Sequence, residues 1–322
     1  MIQITTKRAT VFERYPKTTL AGVWFFAFVI FFICVEFALS SFTGLGHPVL
    51  FLEDPSFGYR LKPNQETYRF GGAHFKINNL GLRANEDWDS SVDDKILFLG
   101  DSVTYGGNRI SNEELFSEIA TRGIEGFETG NVGMPNYGVE NVYGLVVNSG
   151  FLPAKFYVTV FIEEDFYRGL VQAGNRPWIM TESPHFALEE LARWVWFRYF
   201  ANTRASNQRQ TARVSAADRR ANAARKLKEM DTFLKSKGYS HLIFISPSQP
   251  QVLGEAPIDS DVKAVLDQYE VDAIYLLPKI AALPASEDDR KAWFQDNYHL
   301  TARGHEVWGE LMRQELSKWI AR

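Results

Sequence analysis

Between Thr18 and Val35 no side chain carries a charge, and the run Trp24-Phe25-Phe26-Ala27-Phe28-Val29-Ile30-Phe31-Phe32-Ile33 is apolar throughout. A stretch of that kind has few ways to fold. With Glu36 tolerated near one end, it extends to about Phe42. At ~1.5 Å per helical residue it then matches or exceeds a ~30 Å hydrocarbon core. Lys7, Arg8, Arg14 and Lys17 precede it, whereas the first charges after Glu36 are Glu53 and Asp54. An excess of cations on the cytoplasmic side predicts a cytoplasmic tail over 1–17 and an anchor over 18–42. Everything after residue 42 is then periplasmic or otherwise extracytoplasmic, on a single-pass inner-membrane protein. The competing reading is a cleaved signal peptide, with Ala38-Leu39-Ser40 as the small-residue site. The apolar run is longer than such peptides usually carry, and Glu36 sits just before that site, so the anchor is the preferred reading.

The remaining composition is that of a globular protein. In 322 residues, 45% are hydrophobic and 23% charged, enough to bury a large core. A formal net charge of -4 argues against a nucleic-acid partner. The single cysteine, Cys34, rules out an intramolecular disulfide and a multi-cysteine metal site. No lipoprotein pattern surrounds it, and it is expected to face lipid or a neighbouring helix.

Residues 43–90 carry Gly, Pro and Asn at short intervals, with alternating stretches at Thr67–Phe70 and His74–Ile77. These predict edge strands of a stalk or apron. From residue 95 the rhythm becomes strand, helix, strand, with buried strands expected at 95–99, 127–132, 156–162, 241–246 and 271–277. Helices are expected from Ser111, whose Glu114 suggests a capping box, from about Ala216 to Lys237 with Gly238 as a stop, and from near Thr301. Alternation of this kind predicts a three-layer α/β/α domain over 91–322, built on a five-stranded parallel sheet. Residues 170–214 break the rhythm and read as an insertion rich in aromatics, followed by Arg204, Arg209 and Arg213. Aromatic helices packed on the domain, a lid, or a surface resting on lipid headgroups would each account for it.

Two short strings carry the chemistry. Gly100-Asp101-Ser102 closes the apolar run 95–99, which puts Ser102 at the carboxyl edge of the sheet. Asp296-Asn297-Tyr298-His299 lies just before the last helix. A serine hydroxyl needs a base to take its proton, and an acid bonded to the other imidazole nitrogen fixes the tautomer. Ser102, His299 and Asp296 are therefore the candidate nucleophile, base and orienting acid. Asp101 reads as a turn or cap residue, and Gly100 as the residue that permits the tight turn. His305 reads as structural, and His47, His74, His185 and His241 have no acid–base partner evident in the sequence. No His/Asp/Glu cluster has ligand spacing, so neither metal nor cofactor is expected.

In these blocks the chain resembles the SGNH (GDSL) hydrolases, over roughly residues 55–322 without the insertion. The lead-in from Gly58 to Asp87 is similar to that of membrane-anchored bacterial members. The resemblance implies a flavodoxin-like fold, ester hydrolysis without a cofactor, and Ser102, Asp296 and His299 as the triad. It also implies an oxyanion hole in which the Ser102 and Gly133 amides donate. The chain departs from the family at Ile162-Glu163-Glu164-Asp165, where Glu164 stands in place of a donating Asn. An ionised carboxylate repels an oxyanion, and losing one donor costs on the order of 10²–10³ in rate. Three outcomes are open: Asn136 or another amide substitutes, burial keeps Glu164 neutral, or the site is slow or specialised. The expected activity is deacylation of an acylated envelope or exported carbohydrate, with lipid as the second substrate class. An O-acyltransferase with the same triad and a weakly catalytic scaffold protein are the alternatives.

Overall fold

The computed structural model describes residues 10–149, 152–174, 176–200 and 214–320. Arg204, Arg209 and Arg213 lie outside the described residues. The chain opens with helix α1, Pro16–Thr43, which is long and apolar enough to cross a membrane, a property it shares with signal sequences. Two antiparallel hairpins follow. Strands β1 (Phe51–Asp54) and β2 (Gly58–Leu61) form the first, β3 (Gln65–Arg69) and β4 (Ala73–Ile77) the second. The expected edge strands at 67–70 and 74–77 therefore exist, one to two residues out of frame.

The main sheet is parallel throughout. Its strands are β5 (Lys95–Gly100), β6 (Glu128–Gly133), β7 (Phe156–Phe161), β8 (Ser240–Ile245) and β9 (Ile274–Tyr275), in the order β6-β5-β7-β8-β9. Every residue of β5 is buried, which explains its unbroken apolar run; alternation is needed only where one face meets water. Side chains leave the sheet on alternate faces. Leu97, Leu99, Val132 and Ile243 join a core with helices α4 (Val139–Ser149) and α6 (Ala216–Ser236). Ile96, Phe98, Val158 and Phe244 face the other way, toward α3 (Phe116–Thr121) and α7 (Ala302–Ile320). The result is the expected three-layer α/β arrangement. Between α3 and β5 sits the short helix α2 (Ser102–Tyr105).

Helix ends follow local chemistry. The Ser215 hydroxyl accepts from the Asp218 N–H to start α6, and Gly238, at φ +80°, follows its last turn. The Ser111–Glu114 capping box is present, but it starts a single 3₁₀ turn and not the helix itself. The fifth strand is shorter than the expected 271–277. Its start is delayed by Glu270 at φ +52°, and a helix with Pro278 in its first turn begins at Leu277.

The hairpins are an apron that shares the core of the sheet, not a free stalk. Phe51, Tyr59, Phe75 and Trp88 are buried with the residues of β5 and α4. Arg83 exchanges both backbone hydrogen bonds with Asn131 of β6, at 2.9 and 3.1 Å. Its fully buried guanidinium donates to Asn112 Oδ1 (3.0 Å) and to the carbonyls of Tyr105 (2.5 Å) and Ile110 (2.7 Å), and it stacks on Phe75. Hydrogen bonds from a charged donor are worth about 1.5–3 kcal/mol each, so this one side chain ties the apron to the loop after α2.

Half-buried Glu118 on α3 is pushed up to about 7, chiefly by desolvation, with Arg83 and Arg122 opposing. Its ordinary value is 4.5. The unfolded chain therefore gives up this proton at lower pH than the folded one, and stability falls as pH rises between those two values. Glu118→Gln removes that fall. Its unfolding midpoint is expected to exceed that of the natural protein at pH ~8 and to match it at pH ~4, as read by thermal denaturation.

Candidate active site

The order second-first-third-fourth-fifth along the sheet puts a change of winding direction between β5 and β7, where open α/β sheets bind ligands at strand carboxyl ends. Ser102 leaves β5 there as the first residue of α2. Two glycines make this geometry sterically feasible. A Cβ on Gly100 would collide with the Val160 carbonyl and Thr104 Oγ1, and one on Gly133 would collide with the backbone of Thr104 and Tyr105. Gly100 thus permits the close approach of α2 to β7 in the tight strand-to-helix turn, and does so without a positive φ. Asp101 caps α2, its Oδ1 accepting from the Val103 N–H at 2.9 Å, as expected of a cap residue.

The structure brings the serine and the late string together across 197 residues of sequence. His299 Nε2 stands 2.9 Å from Ser102 Oγ, and His299 Nδ1 stands 2.7 Å from Asp296 Oδ2. With Nδ1–H donating to the carboxylate, Nε2 is left to accept from the serine hydroxyl. The loop is held in shape by its own acid: Asp296 Oδ1 accepts from the N–H groups of Tyr298 (2.9 Å) and His299 (2.8 Å). Burial alone would raise Asp296, but these amides and the imidazole outweigh it and hold the carboxyl below its ordinary range. It stays ionised at neutral pH. The site is open, with the His299 and Asp296 side chains 37% and 56% exposed.

The donors around the serine differ from expectation. The Gly133 N–H, expected to face an oxyanion, donates to Asn131 Oδ1 at 2.8 Å. Asn131 is fully buried, and its Nδ2 donates to the Thr104 carbonyl (2.7 Å) and Ser117 Oγ (3.0 Å). It locks β6 to α2. Asn136, three residues after Gly133, takes the left-handed conformation at φ +62°. Its turn is held by the apron: the Tyr59 hydroxyl donates to the Pro135 carbonyl, and the Tyr137 hydroxyl to the Tyr59 carbonyl. Among the described residues, the N–H groups of Ser102 and Asn136 donate to no protein acceptor.

Glu164 is half-buried and accepts a hydrogen bond from the Tyr298 hydroxyl, inside the Asp-x-x-His string itself. Burial, and then the bond to this carboxylate, push Tyr298 up to about 12, so its proton is retained. The Glu therefore tethers the loop that carries His299. Arg168 is a neighbour that the sequence blocks did not single out. It donates to Asp165 Oδ1 (2.5 Å) and the Tyr137 carbonyl (2.7 Å), and lies 3.6 Å from Asp101 Oδ2. Buried Asp165 is raised well above its ordinary range by desolvation and by Asp101, with Arg168 opposing. No single spacing in the sequence signals this cluster, because its members come from three strand ends, those of β5, β6 and β7.

His74, His185, His241 and His305 do find ring partners. His74 meets Glu66 at 2.8 Å, and His185 meets Glu189 at 3.2 Å. His241 lies between Thr159 Oγ1 (3.0 Å) and Asp231 Oδ1 (3.1 Å). That last array has the connectivity of a triad but is buried under α6, out of reach of a substrate. His305 accepts from the Phe116 N–H at 3.1 Å, and burial pushes it down to about 3, so it is neutral and internal.

Two expectations test these assignments. Gly133→Ala keeps the backbone N–H but inserts a Cβ against α2; unfolding midpoint and reactivity of Ser102 are expected to fall together. Tyr298→Phe removes the tether and is expected to lower kcat on an activated ester severalfold. Glu164→Gln keeps an acceptor for the tyrosine and is expected to retain most of it.

A scan against protein-family models finds no match, and a search of curated proteins finds none either. Solved structures of similar fold include an acetyl xylan esterase, AlAXEase, at 14% identity and TM-score 0.42, covering 69% of this chain and 99% of that one. A lipolytic protein of the G-D-S-L family from Veillonella parvula DSM 2008 matches at 14% identity and TM-score 0.37, covering 71% and 98%. The salicylyl-acyltransferase SsfX3 matches at 13% identity and TM-score 0.40, covering 72% and 56%. In the order of its serine, glycine and Asp-x-x-His blocks, the chain resembles the SGNH (GDSL) hydrolases.

Proposed function

We propose that this protein is a serine esterase of the SGNH type that removes acyl groups, acetyl above all, from a carbohydrate polymer outside the cytoplasm. The unbroken line from Ser102 Oγ through His299 to Asp296, at 2.9 and 2.7 Å, carries the proposal. Ser102 Oγ attacks the ester carbonyl and passes its proton to His299 Nε2. As the carbon–oxygen bond to the alcohol breaks, His299 returns the proton to the leaving oxygen. Water then enters by the same route and releases the acid. Asp296 holds the imidazole in the tautomer this needs.

The oxyanion is held by the N–H groups of Ser102 and Asn136, both without a protein acceptor among the described residues. Asn136 thereby fills the place expected of Gly133. The exposed acid and base suit an ester displayed on a chain, which no closed pocket has to swallow. The apolar helix α1 supports work at a membrane surface.

The occupied Gly133 amide and the carboxylate at Glu164 favour the weakly catalytic alternative, since both reduce the donors available to an oxyanion. One experiment separates the two. A fluorophosphonate probe is expected to label the full chain in detergent, and Ser102→Ala to abolish labelling while leaving the unfolding midpoint unchanged. Absence of labelling in folded protein overturns the esterase reading.

A further inference from the structure

Helix α5, Ala187–Tyr199, is built onto the end of α1. The Glu36 carboxylate of α1 accepts from the N–H groups of Ala187 and Leu188 (the latter at 3.1 Å), which caps the first turn of α5. The rings of Phe32 and Phe186 meet edge to face, with centroids 5.9 Å apart. Just past α1, the Gly46 N–H donates to Glu190 Oε2 at 2.7 Å, and Glu190 is paired with Arg69 in an ion pair that is almost fully buried. Glu36 lies nineteen residues after Lys17, or about 29 Å along a helix axis. That is the thickness of a hydrocarbon core, so Glu36 and the start of α5 fall at its outer boundary.

The two faces of α5 differ. Inward, Trp194 and Phe197 pack on Trp178, with centroids at 5.7 and 4.9 Å. Outward, the helix shows Leu191, Val195, Trp196 and Tyr199, continued by Phe200, with no charge among them. Trp196 is 64% and Tyr199 75% exposed. Arg193 and Arg198, at 100° per residue, flank this face. Two large apolar faces, those of α1 and α5, therefore run into one another at Phe32 and Phe186.

We propose that α5 lies in the headgroup layer of the bilayer that α1 crosses, with Leu191, Val195, Trp196, Tyr199 and Phe200 facing lipid, so that the domain touches the membrane at two places. Aromatic side chains flanked by arginines are the chemistry of that layer. The inference rests on α1 being an anchor, and it gives a reason for α1 to be retained. Cleavage after Ser40 would strip α5 of its cap at Glu36 and of the Phe32 contact.

The test uses the full chain with Cys34→Ser and a single new thiol, Trp196→Cys, carrying an environment-sensitive fluorophore. It is reconstituted in vesicles of equal phosphatidylcholine and phosphatidylglycerol. A blue shift is expected, with severalfold stronger quenching by lipid bearing a nitroxide near its headgroup than for the same label at Asp288→Cys. Adding Tyr199→Ser and Phe200→Ser to the labelled chain is expected to weaken the quenching and to leave turnover of a soluble aryl acetate unchanged. Equal quenching at both label positions, in protein whose intact mass shows residues 1–40 retained, overturns the inference and leaves the anchor standing. A signal that follows protein-to-lipid ratio and not the nitroxide also overturns it, in favour of a second copy. Membrane protein recovered without residues 1–40 overturns both.

Discussion

The site depends on how closely two strands approach one short helix. Gly100 and Gly133 end neighbouring strands, and each gives up its Cβ so that the backbone of α2 can rest on the sheet. Asn131 then locks that contact by accepting from the Gly133 N–H and donating to the Thr104 carbonyl. Ser102 inherits its position from this packing, and so does the pairing with His299. Protein interiors are dense enough that a single methyl group here has to displace backbone.

The same packing fixes the partner of the Gly133 amide. An N–H has one proton to give, and that of Gly133 is committed to Asn131. The next residue in the block with an unusual backbone is Asn136, whose turn is fixed by Tyr59 and Tyr137. Tyr59 belongs to the apron, so residues far from the triad in sequence shape the ground beside it. Glu164, which stands where the resemblance expects a donating Asn, acts as an acceptor. Its bond to Tyr298 connects the end of β7 to the loop bearing the base.

The apron also joins the other end of the molecule to this frame. Arg69, on β3, pairs with Glu190 at the start of α5, and Arg83, six residues after β4, holds the loop behind α2. Buried ions without good partners are costly; Arg69 donates through its terminal nitrogens to the Gly44 carbonyl and the Glu190 carboxylate, and Arg83 to Asn112 Oδ1 and the Tyr105 and Ile110 carbonyls. One set of hairpins thus connects helices α1 and α5 to the segment that follows the serine.

Local patterns were legible in the sequence. The apolar run of α1, the buried strands β5 to β8, the capping box at Ser111, the stop at Gly238, and the three members of the Ser-His-Asp line all follow from residue type and short spacing. The length of β9 was not, because the positive φ of Glu270 and the early helix at Leu277 outweigh the apolar run. Which side chains become partners was also hidden. Nothing in the spacing assigns Asn131 to Gly133 and Thr104, Arg168 to Asp101 and Asp165, Tyr298 to Glu164, or Asp231 to His241. The sequence alone determined the apolar helix, the buried strands and the serine, histidine and acid proposed as a catalytic line, because periodicity and local hydrogen bonding act within a few residues. Only the tertiary structure decided which amide is free, which carboxylate is an acceptor and which aromatic face is left bare, because each depends on what packing brings alongside it.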